Sequence, residues 1–105
     1  MELLGSSFWD AAFIGITALD LEHGITSINM PCAQMEASVL KNSRLSVGLC
    51  DSSKLGKFSR ARAGDIDLLD ILITDNGADK RILKSIESLG VKVIVAGTDG
   101  ESNES

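Results

Sequence analysis

The chain has 105 residues, 44% of them hydrophobic and 24% charged, which fits one globular domain with a single compact core. A formal charge of −5 has the wrong sign for a broad basic face that grips phosphate backbones, so nucleic acid is not the obvious partner. Cys32 and Cys50 lack CxxC spacing, the start MELLGSSFWD lacks a signal-peptide pattern, and no apolar run nears the ~20 residues that span a bilayer. A reduced, cytoplasmic chain outside the membrane is expected.

In chain order, the first ten residues place Leu3, Leu4, Phe8 and Trp9 without a clear period, which suits a helix remnant or a sheet edge. Phe8 and Trp9 fit packing or an oligomer contact better than an aromatic platform. The run AAFIGI (11–16) is near-continuous and apolar, as are LSVGLC (45–50), LLDILIT (68–74) and VKVIVAG (91–97). Strands covered on both faces have this pattern.

Residues 18–29, ALDLEHGITSIN, form a polar exit loop after the first strand, and a helix follows in PCAQMEASVLKNS (31–43). Pro31 stands near its first turn, with Cys32, Met35, Val39 and Leu40 on the apolar side. A second polar exit, Asp51 to Lys54, follows the second strand. From there to residue 62 four cations, Lys54, Lys57, Arg60 and Arg62, stand against Asp51 alone, which suits an anion site or a solvated loop equally. Asp65, Asp67 and Asp70 interleave with apolar residues and are expected as solvated flanks of the third strand, not metal ligands. The second helix, 78–90, carries Ile82, Leu83, Ile86 and Leu89 and stops at Gly90. The tail 98–105 is acidic and expected to be mobile.

Strands alternating with helices at this spacing predict an α/β fold with a mostly parallel sheet and flanking helices. Ligands of such sheets gather at the carboxyl ends of the strands, where both polar exits lie. Asp20 and Asp51 can accept from sugar-type hydroxyls, Gly24 permits close backbone approach, and Thr26, Ser27, Ser52 and Ser53 offer hydroxyls. Lys54 supplies a compact cation for phosphate. A small phosphorylated polyol matches that inventory, although Asp-Ser-Ser is also a common turn and cap sequence, the commoner outcome on chemistry alone. His23 is the single histidine and reads as an exposed loop residue. Both cysteines read as small buried hydrophobes.

The order of the motifs adds to this chemistry. Gly24-Ile-Thr-Ser-Ile-Asn29, Asp51-Ser-Ser-Lys-Leu-Gly56 and Ile73-Thr-Asp-Asn-Gly77, with a helix between the first two, resemble the C-terminal part of the DeoR family of bacterial transcriptional regulators. The resemblance runs from about Ala12 to Ala96 and implies an effector-sensing domain related in fold to ribose-5-phosphate isomerase and the CoA transferases. It implies a phosphorylated sugar as effector, with Asp20, Gly24, Thr26 and Asn29 lining the pocket and Asp51, Ser52, Ser53 and Lys54 contacting the ligand.

Two departures stand out: Gly15-Ile-Thr-Ala18 replaces the usual Gly-Ala-Asp/Asn-Gly, and Glu36 stands where many members have lysine. The family's helix-turn-helix and phosphate cradle are not among these residues, so residues 1–97 read as a portion of the sensor. Contact with DNA is expected only through a domain outside this chain, and a homo-oligomer is expected. No cofactor, metal or catalytic residue is expected. The alternatives are a sugar-phosphate isomerase fragment, with Asp20 shuttling a proton and Lys54 stabilising an enediolate, and a ligand-free oligomerisation fragment.

Overall fold

The structure, a computed structural model, describes residues 9–97. The expectations for the tail and for residues 1–8 lie outside them. Its elements are β1 (Trp9–Gly15), β2 (Ala18–Asp20), β3 (Gly24–Ser27), α1 (Met30–Lys41), β4 (Ser43–Leu49), β5 (Ala61–Gly64), β6 (Ile71–Asp75), α2 (Lys80–Ser88) and β7 (Lys92–Ala96). The four apolar runs form one sheet of order β1-β4-β6-β7, parallel throughout. The fold class is therefore the expected α/β one.

A second, antiparallel sheet of order β2-β3-β5 was not foreseen. Gly24–Ser27 is a buried strand, not part of an exit loop. Its short, hydroxyl-bearing residues look like a turn, yet strands on both sides satisfy its backbone. Thr26 Oγ1 accepts from the Ser59 N–H at 2.8 Å, and Ser27 Oγ donates to Glu36 Oε2 at 3.0 Å, so the hydroxyls are satisfied inside the protein.

Asn29 caps α1 by accepting from the Cys32 N–H at 2.9 Å, and Pro31 sits in the first turn. The buried side is Ala33, Glu36, Val39 and Leu40. Cys32 is half-buried and Met35 exposed, so the expected apolar side is rotated toward smaller residues: Ala33 and Ala61 are both buried where α1 packs along β5. Asp79 caps α2 through the Arg81 N–H. Leu83 and Ile86 are buried, whereas Leu89 lies outside, and Gly90 adopts φ +94°, the left-handed conformation that ends a helix cheaply.

The core lies against one face of the parallel sheet, where Ile16, Cys50 and Leu72 meet Leu83 and Ile86 of α2 and Ile25 of the small sheet. Gly48 allows this approach, since a Cβ there would sit 2.5 Å from Ile16 Cδ1. The expectation of two covered faces holds on this side only. Paired residues of parallel strands point the same way, so Phe13, Val47 and Ile71 share the other face with Leu45, Leu49 and Ile94. Val47 is buried, but Phe13 is 65% exposed and Leu45, Leu49 and Ile94 are exposed too. The apolar runs are written for two covered faces, and much of the second is bare among the described residues.

Candidate functional site

β4 ends at Leu49, and Cys50 continues its pairing by donating its N–H to Ile73 O at 3.0 Å. The chain then leaves the carboxyl edge of the sheet through one 3-10 turn, Ser52–Lys54. Asp51 caps that turn: its Oδ1 accepts from the Ser53 N–H at 2.9 Å and from the Ser53 hydroxyl. Lys54 N–H donates to Asp51 O, Leu55 N–H to Ser52 O, and Gly56 N–H to Leu19 O at 2.8 Å. Leu55 is buried and bridges to Leu19, tying the turn to the β2–β3 hairpin.

The turn is also held from the neighbouring strand. Asp75, last in β6, accepts from the Ser52 N–H at 2.9 Å through Oδ2 and from the Gly77 N–H at 2.9 Å through Oδ1. Hydrogen bonds from the Ser52 N–H, the Gly77 N–H and the Ser52 side chain hold the Asp75 carboxyl below the usual aspartate range. Five successive amides, from Ser52 to Gly56, thus have acceptors within the protein. Within this turn no row of free backbone N–H groups is left to cradle an anion. What the edge offers outward is the exposed Lys54 ammonium, which has no carboxylate within ion-pair distance among the described residues, beside Ser52 and the exposed Ser53.

Below this turn Cys50 is 3% exposed, and burial pushes its thiol up to about 11, helped by Asp51 and opposed by Lys54. It is a packing residue, inert as a nucleophile at neutral pH. Cys32, at the start of α1, is only half-buried.

On the hairpin side Asp20 accepts from the His23 N–H at 2.6 Å, and His23 Nδ1 lies 3.0 Å from its Oδ2. Burial raises the Asp20 pKa, but the bonds and charge of His23 outweigh it and leave it lowered. The His23 ring stacks on Phe58 with centroids 4.0 Å apart and planes at 19°, so it is built into a clasp between hairpin and loop, not free in a loop. Asp65 pairs with Arg62, and Asp70 accepts from the Ser46 N–H, which gives both carboxylates structural partners.

The sequence-derived set therefore divides. Asp51, Ser52, Ser53 and Lys54 share one exposed turn beside Asp75–Gly77. Asp20 lies on the hairpin tied to that turn, committed to His23. Gly24 is a packing position: it has φ +76°, and a Cβ would meet Gly64 O at 2.4 Å. Thr26 is buried and its oxygen is spent on Ser59, while Asn29 is a helix cap. Asp75 and Gly77, which stand against this turn, are not among the sequence-derived candidates although Ile-Thr-Asp-Asn-Gly is one of the motifs; its strand-end position is the signal that could have found them. A groove of about 240 Å³ between α2 and β7, lined by Lys80, Leu83, Lys84, Glu87, Val93 and Val95, shares no residue with this edge.

The family profile described as "DeoR C terminal sensor domain" matches residues 1–76. The chain is 35% identical over 86 residues to the HTH-type transcriptional regulator GlpR of Haloferax volcanii, covering 82% of this chain and 34% of that protein. It is 29% identical over 89 residues to the putative aga operon transcriptional repressor of Escherichia coli O157:H7, covering 85% and 33%. With the HTH-type transcriptional repressor GlcR of Bacillus subtilis it shares 28% identity over 99 residues, covering 94% and 38%. The chain thus spans about a third of the length of the curated relatives it matches.

Proposed function

This chain belongs to the DeoR C-terminal sensor family, and from that premise we propose that it is part of the effector-sensing unit of a sugar-responsive transcriptional regulator. The observation that carries the proposal is the Ser52–Lys54 turn: a fixed backbone presenting two hydroxyls and an ammonium with no ion-pair partner among the described residues, at the carboxyl edge of a parallel sheet. A phosphorylated sugar suits it, its phosphate on Lys54 and its hydroxyls on Ser52 and Ser53. Asp51 and Asp20 contribute from the rim. Gly24, Thr26 and Asn29 shape the scaffold without touching the ligand.

The effector acts by population shift, binding one conformation of the regulator more tightly than the other. Binding without turnover is supported by the commitments of the carboxylates: Asp75 accepts from the Ser52 and Gly77 N–H groups and Asp20 from His23, so the oxygens of both are engaged within the protein. DNA contact belongs to a helix-turn-helix outside this chain, and the working location is the cytoplasm, as for a regulator. Among the described residues no helix is long and apolar enough to cross a membrane. The bare sheet face supports assembly into a homo-oligomer or with further parts of the same regulator.

The test is thermal unfolding of the chain with a panel of aldose and ketose phosphates and the matching free sugars. Ligand at a hundredfold excess over its Kd stabilises the native state by about 2.7 kcal/mol, so a binder raises Tm visibly. Lys54→Ala should abolish the phosphate-dependent shift and leave Tm without ligand unchanged, because an exposed cation contributes little to folding. An undiminished shift in that variant refutes the assignment.

A further inference from the structure

We propose that Asp75 is a positioning residue of this site: from the adjacent strand it sets the conformation of the Ser52–Lys54 turn and thereby where the Lys54 ammonium is presented. The inference rests on the sensor reading above and deepens it.

The turn is a single 3-10 unit of three residues, too short to hold its own shape by internal bonds. Asp51 caps it locally, but a local cap cannot orient it against the sheet. Two links to other elements do so. At the far end the Gly56 N–H reaches Leu19 O and Leu55 is buried. At the near end the turn is held to β6 by the Ser52 N–H on Asp75 Oδ2, with a Ser52 side-chain bond to the same carboxyl beside it. Asp75 itself is anchored, because Oδ1 takes the Gly77 N–H and its backbone is last in the β6–β7 register, opposite Ala96.

Space around the clamp is used up as well: a Cβ on Gly77 would lie 2.8 Å from Ser52 Oγ and 3.1 Å from Asp75 Oδ1. Because the five amides from Ser52 to Gly56 are spent on the protein, recognition of an anion falls to side chains, and Lys54 acts from where the turn holds it. A carboxylate is required at position 75, since two N–H donors face it and only two acceptor oxygens satisfy both. An asparagine supplies one acceptor and turns an NH2 group against the other donor.

The experiment compares wild type, Lys54→Ala, Asp75→Asn and Gly77→Ala for binding of the same sugar-phosphate panel by amide-resolved NMR titration. Circular dichroism verifies that each is folded. Asp75→Asn should weaken binding about tenfold or more, as charge-assisted bonds to a clamp are among the strong ones. The Ser52 amide resonance should move and its exchange protection fall. Gly77→Ala, which keeps the carboxylate but presses on Ser52, should weaken binding in the same direction and serves if Asp75→Asn fails to fold.

The pH profile separates positioning from general damage. Wild type and Asp75→Asn should converge as pH falls through the depressed Asp75 pKa, because protonation removes the same acceptor. Lys54→Ala losing the ligand while Asp75→Asn and Gly77→Ala bind as wild type overturns the inference and leaves the sensor reading intact. Binding unaffected by Lys54→Ala, or no binding by wild type, overturns the reading and the inference with it.

Discussion

Replacing Glu36 with glutamine should stabilise this protein at neutral pH and leave its stability unchanged in acid. Glu36 projects from α1 toward the small sheet and is only 7% exposed. Its Oε2 accepts from Ser27 Oγ at 3.0 Å, whereas Oε1 is buried without a hydrogen-bond partner. Burial raises its pKa above the ordinary 4.5, and the Ser27 bond offsets only part of that. A raised folded pKa means that the unfolded chain releases its proton first. Ionisation therefore favours unfolding as pH rises through 4.5, and the cost reaches its full size above the folded pKa. One unsatisfied, buried acceptor costs about 1–3 kcal/mol, and the glutamine NH2 recovers only part of it, so a gain of ~1 kcal/mol at pH 7.5 is expected. That corresponds to a rise in Tm of about 4–8 °C for a domain of this size. Thermal unfolding followed by circular dichroism from pH 4 to 8 measures it. A Glu36→Gln protein that is less stable than wild type at pH 7.5 would refute the reasoning, because the carboxylate would then have a compensating partner, and one more stable by the same amount at pH 4 would refute it too, because the gain would not come from removing the ionised form.

Two further outcomes follow from packing. Gly24→Ala should cost at least ~2 kcal/mol in urea unfolding, since it combines a left-handed φ with a Cβ 2.4 Å from Gly64 O; a loss under 0.5 kcal/mol would show that β3 and β5 can part easily. Phe13→Ser should reduce self-association measured by light scattering, as it removes the most exposed large apolar side chain of the bare sheet face among the described residues; unchanged association would place the contact elsewhere.

How much of this was legible beforehand differs by element. The four strands of the parallel sheet announced themselves because each is a short apolar run whose neighbours are helices or polar exits, and α2 because its apolar residues recur at helical spacing. The small sheet gave no such signal. β2, β3 and β5 are three or four residues long and rich in Gly, Ala, Ser and Thr, and their burial comes from lying between other elements. The rotation of α1 was hidden for a related reason. Met35 is more apolar than Glu36, yet Glu36 faces inward because the helix approaches β5 over small residues and Ser27 supplies a donor.

The site shows the same division. Residue types, motif order and position at strand ends determined that Asp51 to Lys54 form a polar turn at the carboxyl edge of a parallel sheet, and that Lys54 is its cation. Only the tertiary structure decided which neighbouring groups are still available. Thr26 meets Ser59 across 33 residues, Ser27 meets Glu36 across 9 and Ser52 meets Asp75 across 23, so two of the hydroxyls are engaged within the protein and one carboxylate stands against the turn. The physical reason is that a local pattern specifies which face a side chain takes, whereas a polar atom's partner is chosen by whatever the fold brings within about 3 Å of it.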